Sequence, residues 1–182
     1  LRGVARELGI ALGTLNNYFS SLAALEDAVA ARLMAQMPVL DAKSRQPLRD
    51  QLVDMGMELI NAHSLHPYLR HITGRESVII GTEWVLSCRA ALVAQGLSAD
   101  DAALCLEMVQ SIAYGRGVEL HRLRNRDPVV MEQIMAYLRK TGTPTARLKA
   151  ADFTPEKMAP ANRISLQRAM EVLLGGFARQ QE

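Results

Sequence analysis

Residues 1–20, LRGVARELGIALGTLNNYFS, decide how the whole chain is read. Val4, Ala5 and Leu8 recur at the spacing of one helical face, and Ile10, Leu15 and Tyr18 supply a second apolar stripe just beyond Gly9. Gly9 suits the left-handed conformation that ends a helix and turns the chain sharply, and Ala5 is small where a second helix must cross closely. The pattern predicts two short helices meeting near a right angle across a tight turn, a helix-turn-helix.

Outward from this stretch the chain reads as helix after helix. Ser20 or Ser21 caps a helix running to about Met37, with Leu25, Val29 and Leu33 on one face and Pro38 just past its end. Residues 38–46 form the boundary. Residues 1–37 are therefore expected as the helix-turn-helix domain with its connecting helix, and 42–182 as a second, all-α domain. From Pro47, the positions Leu48, Leu52, Met55, Leu59 and Ala62 mark an amphipathic helix that ends near Ser64. The next helix starts at about Glu76 or Thr82 and runs to Gln95, where Gly96 stops it; Trp84, Val85, Cys88, Ala91 and Leu92 form its apolar face. Ser98 with Asp101 makes a capping box that opens a long helix from Ala99 to Leu123. Asp127-Pro128 opens another, with Met131, Ile134, Met135 and Leu138 inward and Gly142 at its end. Residues 142–160 hold three prolines and read as irregular, and Ala161–Arg179 reads as the last helix.

Two of these helices are apolar on two sides. In the helix from Ala99, Leu104, Met108, Ile112 and Gly115 form one stripe, and Leu106, Val109, Ala113, Gly117 and Leu120 form another. The last helix carries Leu166, Met170, Leu173 and Phe177 on one side and Ala169, Val172 and Gly176 on another. A helix apolar on opposite sides must be covered on both. Pairing with a second copy about a twofold axis would do so through Leu106, Val109, Ala113, Gly117, Leu120, Leu166, Met170, Leu173 and Phe177.

Composition bounds the function. The 182 residues suffice for a small domain joined to a medium one, and with aromatics at 4%, nine Met and no alternating β-branched run, the fold class is all-α. A net charge of +2 does not by itself mark a nucleic-acid binder, since phosphate contacts depend on local Lys and Arg. Within 1–33, Arg2, Arg6 and Arg32 offset Glu7, Glu26 and Asp27. Cys88 and Cys105 lack metal-type spacing and are expected reduced and buried. The most apolar window, Ser77–Leu97, contains Glu83 and Arg89 and is read as no membrane span, which makes a cytoplasmic location the expectation. His63, His66 and His71 lie within nine residues beside Pro67 and Tyr68; they would need a further ligand across a proline-broken turn, so neither a metal nor another cofactor is expected.

The run Gly9-Ile10-Ala11-Leu12-Gly13-Thr14-Leu15, followed by Tyr18-Phe19-Ser20-Ser21, Ala24-Leu25 and Ala28-Val29, resembles the TetR-like bacterial transcriptional regulators over residues 1 to about 33. The resemblance implies a three-helix DNA-binding domain whose first helix precedes Leu1. It also implies a second domain that holds a small effector among its middle helices and dimerises through its last two long helices. Family members usually carry a tyrosine where this chain has Asn16 and a lysine where it has Leu22, both touching DNA phosphates.

The expected function is thus a ligand-responsive transcriptional regulator, a repressor acting as a homodimer on a near-palindromic double-stranded operator. Thr14, Asn16, Asn17, Tyr18, Arg2 and Arg6 are the expected DNA contacts. Met55, Leu59, His63, Tyr68, Trp84, Cys88 and Met108 are the expected lining of a pocket for a mainly hydrophobic effector. The departures at Asn16 and Leu22 favour an alternative, a relative that has lost DNA binding and acts as a sensor or interaction protein. An enzyme built on His63, His66 and His71 is the remaining alternative; no nucleophile motif accompanies them, so no enzymatic activity is expected.

Overall fold

The computed structural model describes residues 1–69, 74–125, 128–141 and 155–179, and contains no strand among them. The helices are α1 (Arg2–Glu7), α2 (Leu12–Tyr18), α3 (Leu22–Met34), α4 (Leu48–Leu65), α5 (Arg75–Ala94), α6 (Ala99–Arg124), α7 (Pro128–Lys140) and α8 (Pro155–Arg179). They form two compact units, Leu1–Met37 with Tyr68–Ser87 and Pro38–Pro67 with Cys88–Glu182. The described residues of 68–87, expected in the second domain, belong to the first unit.

Local chemistry sets the helix ends. At the end of α1, Gly9 takes φ +66°, its N–H bonds the Arg6 carbonyl at 3.2 Å and the Ile10 N–H bonds the Ala5 carbonyl at 3.0 Å. The same pair of bonds closes α5, with Gly96 at φ +100° donating to Val93 and Leu97 donating to Leu92. This geometry satisfies carbonyls that a helix end otherwise leaves unpaired. Ser21 Oγ accepts the Ala24 N–H at 3.1 Å and caps α3. Ser98 Oγ accepts the Asp101 N–H at 3.1 Å and donates to the Asp101 carboxylate at 2.7 Å.

Two ends differ from expectation. α3 stops at Met34 rather than Met37, and Gln36 and Met37 donate instead to the carbonyls three residues back. Pro38 disfavours helical backbone at the residue before it, so the last turn tightens and leaves the helix. α8 begins at Pro155, not Ala161, and runs through Pro160. A proline at the first helical position loses nothing, because that N–H has no partner within the helix. Pro160 removes one bond, near the start of a 25-residue helix. Asp127 and residues 142–154, including Gly142, lie outside the described residues.

In the second unit α4 lies against both α6 and α8. Leu52, Val53, Met55, Leu59 and Ile60 of α4 are buried with Cys105, Leu106, Val109, Ala113 and Leu120 of α6 and Leu166 and Met170 of α8. Each large aliphatic side chain so buried contributes roughly 1.5–3 kcal/mol. Gly117 makes the closest approach: a Cβ there would strike the Cβ of His63 and lie 2.9 Å from the Ile60 carbonyl oxygen. On the rim, Arg163 meets Asp54 at 2.6 Å and Arg49 meets Glu171 at 3.3 Å. These pairs are about half exposed, so each is worth about 0–1 kcal/mol.

This packing corrects the expected dimer surface. Leu106, Val109, Ala113, Gly117 and Leu120, with Leu166, Met170 and Phe177, are buried within one chain, and Leu173 is half-buried. Only a face that admits α4 to Gly117 can turn inward, and that face carries this stripe. The other stripe of α6 faces out, with Leu104 and Met108 exposed, and α8 exposes Ile164 and Val172.

In the first unit α1 packs on α2, burying Ala5 and Leu15. Ile10 and Tyr18, expected in the buried stripe, are exposed, Tyr18 to 77%. A two-turn helix turns few side chains to one neighbour, and Leu15 is the one that is buried. Asp27 of α3 caps the start of α5: its carboxylate accepts the N–H groups of Glu76 at 3.1 Å and Ser77 at 3.0 Å. A Cβ at Gly74 would collide with that carboxylate. By length and composition α5 is apolar enough to cross a membrane, with mean hydropathy 1.4 over its most apolar window. Reading it as no membrane span therefore rests on Glu83 and Arg89 rather than on hydropathy.

The two glycines of α6 should respond oppositely to alanine. Gly117→Ala is expected to lower stability by about 1–3 kcal/mol through overpacking. Gly115→Ala, with nothing within 4 Å of its added Cβ, is expected to raise stability by up to about 1 kcal/mol. Urea denaturation of the two variants checks the contrast.

Asp27 should make the start of α5 acid-sensitive. Its carboxyl is held below its ordinary value of 3.8 by hydrogen bonds from the Ser77 hydroxyl and N–H and from the Glu76 N–H. The stabilisation is complete above 3.8 and is lost as pH falls through the lowered value. Hydrogen exchange should show protection of the Glu76 and Ser77 amides falling only in acid for the unmodified chain, and absent already at neutral pH in Asp27→Ala.

Candidate functional site

With Ala5 and Leu15 turned into the α1–α2 contact, the remaining polar positions of the two short helices face solvent. Thr14, Asn16, Asn17 and Tyr18 of α2 and Arg2 and Arg6 of α1 are all exposed. The Gly9 turn holds the two helices in this relation. Chemically the surface offers two amides able to pair with adenine edges, a hydroxyl, a phenol and two guanidinium groups. α2 carries no charged residue, and Leu22 at the start of α3 is exposed. Cationic contact with phosphates here would fall to Arg2 and Arg6.

The expected ligand-binding residues are distributed differently. Met55 and Leu59 of α4 and Cys88 of α5 are fully packed in the second unit. His63 is half-buried and its ring meets that of Tyr114 edge-on, with centroids 5.3 Å apart. Met108 lies on the exposed face of α6. Trp84, half-buried, and Tyr68, exposed, belong to the first unit. Of the three clustered histidines, His66 follows the last residue of α4 and His71 lies outside the described residues. No group of three His, Cys, Asp or Glu side chains placed to hold a metal occurs among the described residues. Burial pushes the Cys105 thiol up to about 11 and also raises that of Cys88, so both stay protonated and unreactive at neutral pH.

None of the seven lines the cavity of about 230 Å³ that opens between α4, α6 and α8. Ile60 and Ser64 of α4, Leu120 and Arg124 of α6 and Glu156 and Asn162 of α8 stand in its walls. Beside it, Asn125 Nδ2 donates to His121 Nε2 at 2.8 Å, which leaves Nδ1 to carry the proton and donate to the Ser64 carbonyl at 3.0 Å. That bond fastens α6 to the end of α4. Asn162 lies inside the last helix expected from Ala161, but sequence reasoning gave it no role because the apolar stripes read on that helix began at Leu166 and Ala169. The available signal was spacing: Asn162 stands four residues before Leu166 and eight before Met170, a polar group heading a buried row. Asp27 was missed because nothing local ties it to residues 76 and 77.

Comparison with protein-family models, with curated protein sequences and with solved structures returned no match.

Proposed function

We propose that the chain is a ligand-responsive, DNA-binding transcriptional regulator of the TetR-like kind, acting in the cytoplasm as a homodimeric repressor. The observation that carries this reading is the pair α1 and α2 joined at Gly9, whose apolar residues Ala5 and Leu15 are buried while Arg2, Arg6, Thr14, Asn16, Asn17 and Tyr18 stand in solvent. In such an arrangement α2 reads bases in the major groove and the arginines contact phosphates. The exposed Leu104 and Met108 of α6 and Ile164 and Val172 of α8 are the surfaces that support dimerisation. A dimer would set two recognition helices about 34–36 Å apart, one turn of DNA, and require a near-palindromic site.

The absence of charge from α2 favours a second reading, a relative that senses a ligand or binds a partner without holding DNA. Fluorescence anisotropy of the full-length protein on its own promoter region, against random DNA at fixed salt, separates the two. The regulator reading expects preferential binding whose log-affinity falls with log salt at a slope near −1.8 per subunit, for two phosphate contacts each. Equal affinity for both DNAs refutes it. Within the same assay Asn17→Ala should cost about 1–3 kcal/mol of specificity if its contact is bidentate, and Arg6→Ala should reduce the salt slope by about 1 without changing specificity.

The dimer has its own check. Met108→Glu with Val172→Glu should convert a dimer at micromolar concentration to a folded monomer in sedimentation and abolish operator binding. An unmodified chain that sediments as a monomer would overturn the dimeric part of the proposal.

A further inference from the structure

We propose that the exposed face of α5 pairs antiparallel with the same face of a second copy of the chain, about a twofold axis at Leu86. This contact is separate from the α6 and α8 surfaces and does not rest on the regulator reading.

α5 is one unbroken helix from Arg75 to Ala94, so helix geometry alone sets the register of its faces. Only 22% of its most apolar window is buried. Ile79, Leu86 and Val93 fall on one stripe and are 47%, 58% and 45% exposed, with Thr82 and Ala90 exposed between them. The Thr82 hydroxyl donates to the Val78 carbonyl at 2.8 Å, which satisfies it within the helix and leaves its methyl group to join the stripe. The result is an uncovered apolar row about 21 Å long.

The row reads alike from either end. Ile79 and Val93 stand seven residues before and after Leu86, and Thr82 and Ala90 stand four before and after it. An antiparallel pair with its axis at Leu86 sets such positions at one height, so Ile79 of each copy comes level with Val93 of the other, Thr82 with the small Ala90, and Leu86 with itself. The charges follow the same symmetry. Glu83, exposed, and Arg89, half-buried, lie three residues before and after Leu86 at the two margins of the row. Neither has an ion-pair partner among the described residues. The antiparallel pair brings each Glu83 level with Arg89 of the other copy, across the small Thr82 and Ala90 side chains, whereas a parallel pair would set like charges level. A lipid surface fits less well, because an interfacial helix favours Lys and Arg along its apolar row and Glu83 stands there. Few large side chains take part, so the contact is weak, with a dissociation constant of about 0.1 mM.

Sedimentation equilibrium of the full chain carrying Met108→Glu and Val172→Glu, which removes the α6 and α8 surfaces, tests this. At about 0.5 mM that chain should be mostly dimeric, and adding Leu86→Glu should leave it monomeric. In the same background Glu83→Arg alone, or Arg89→Glu alone, should weaken association about tenfold by setting like charges level. An equimolar mixture of those two chains should regain dimers, since each charge then meets its opposite, and that recovery also shows both variants to be folded. The proposal is overturned if the chain is monomeric at about 0.5 mM, if Leu86→Glu associates as strongly, or if the mixture associates no better than its components. The micromolar dimer and the operator binding expected of the unmodified chain are measured without α5 variants, so failure there and failure here are separate results.

Discussion

The close approach of α6 to α4 at Gly117 governs the second unit. Backbone and Cβ atoms of α4 occupy the space a side chain would need, so α6 can be seated in one rotational setting only. That setting turns Ala102, Cys105, Leu106, Val109, Ala113, Leu120 and Leu123 inward and sends Leu104 and Met108 to the surface. α8 is held by a related contact, because Gly56 of α4 leaves room for Leu166, whose Cδ1 lies 3.1 Å from where a Cβ would stand. Two glycines on two helices thus bring three helices together, and the loss of helix propensity at each is offset by the apolar surface that close packing removes from water.

The first unit combines apolar burial with a polar tie. Ala5, Leu15, Ala30 and Ala31 are the buried residues of α1, α2 and α3, and Leu69, in the same unit, is buried too. Asp27 joins α3 to a segment about fifty residues further on, satisfying two N–H groups at the start of α5 that no helical carbonyl can reach. Its negative charge also lies at the positive end of the helix dipole. In the second unit Cys88, Ala91 and Leu92 are buried.

The two candidate sites follow different logics. On α2 the chemistry is exposed, repeated and uncharged, suited to a partner that supplies its own polar edges. In the cavity a buried amide stands in a mixed wall of Ile60, Ser64, Leu120, Arg124 and Glu156. Asn162 is conspicuous for the same reason that Asn16 and Asn17 are not, since an amide in solvent is satisfied by water.

What the sequence by itself determined are features whose causes lie within a few residues. The stops at Gly9 and Gly96 and the caps at Ser21 and Ser98 were readable because left-handed glycines and hydroxyl caps act on the backbone beside them. The all-helical character followed from apolar spacing. What only the tertiary structure decided was which surfaces meet. Two stripes of α6 were equally apolar on paper, and the stripe expected to face a second subunit is the one that faces α4. Pro155 and Pro160 suggested broken chain, yet α8 begins at the first, passes through the second and places Asn162 in a cavity wall. Asp27 was a charge to be counted until its partners at 76 and 77 were in view. The physical reason is common to all three: periodicity tells how many faces a helix must cover, but which neighbour covers each depends on steric fit and buried polar bonds between residues far apart in the chain.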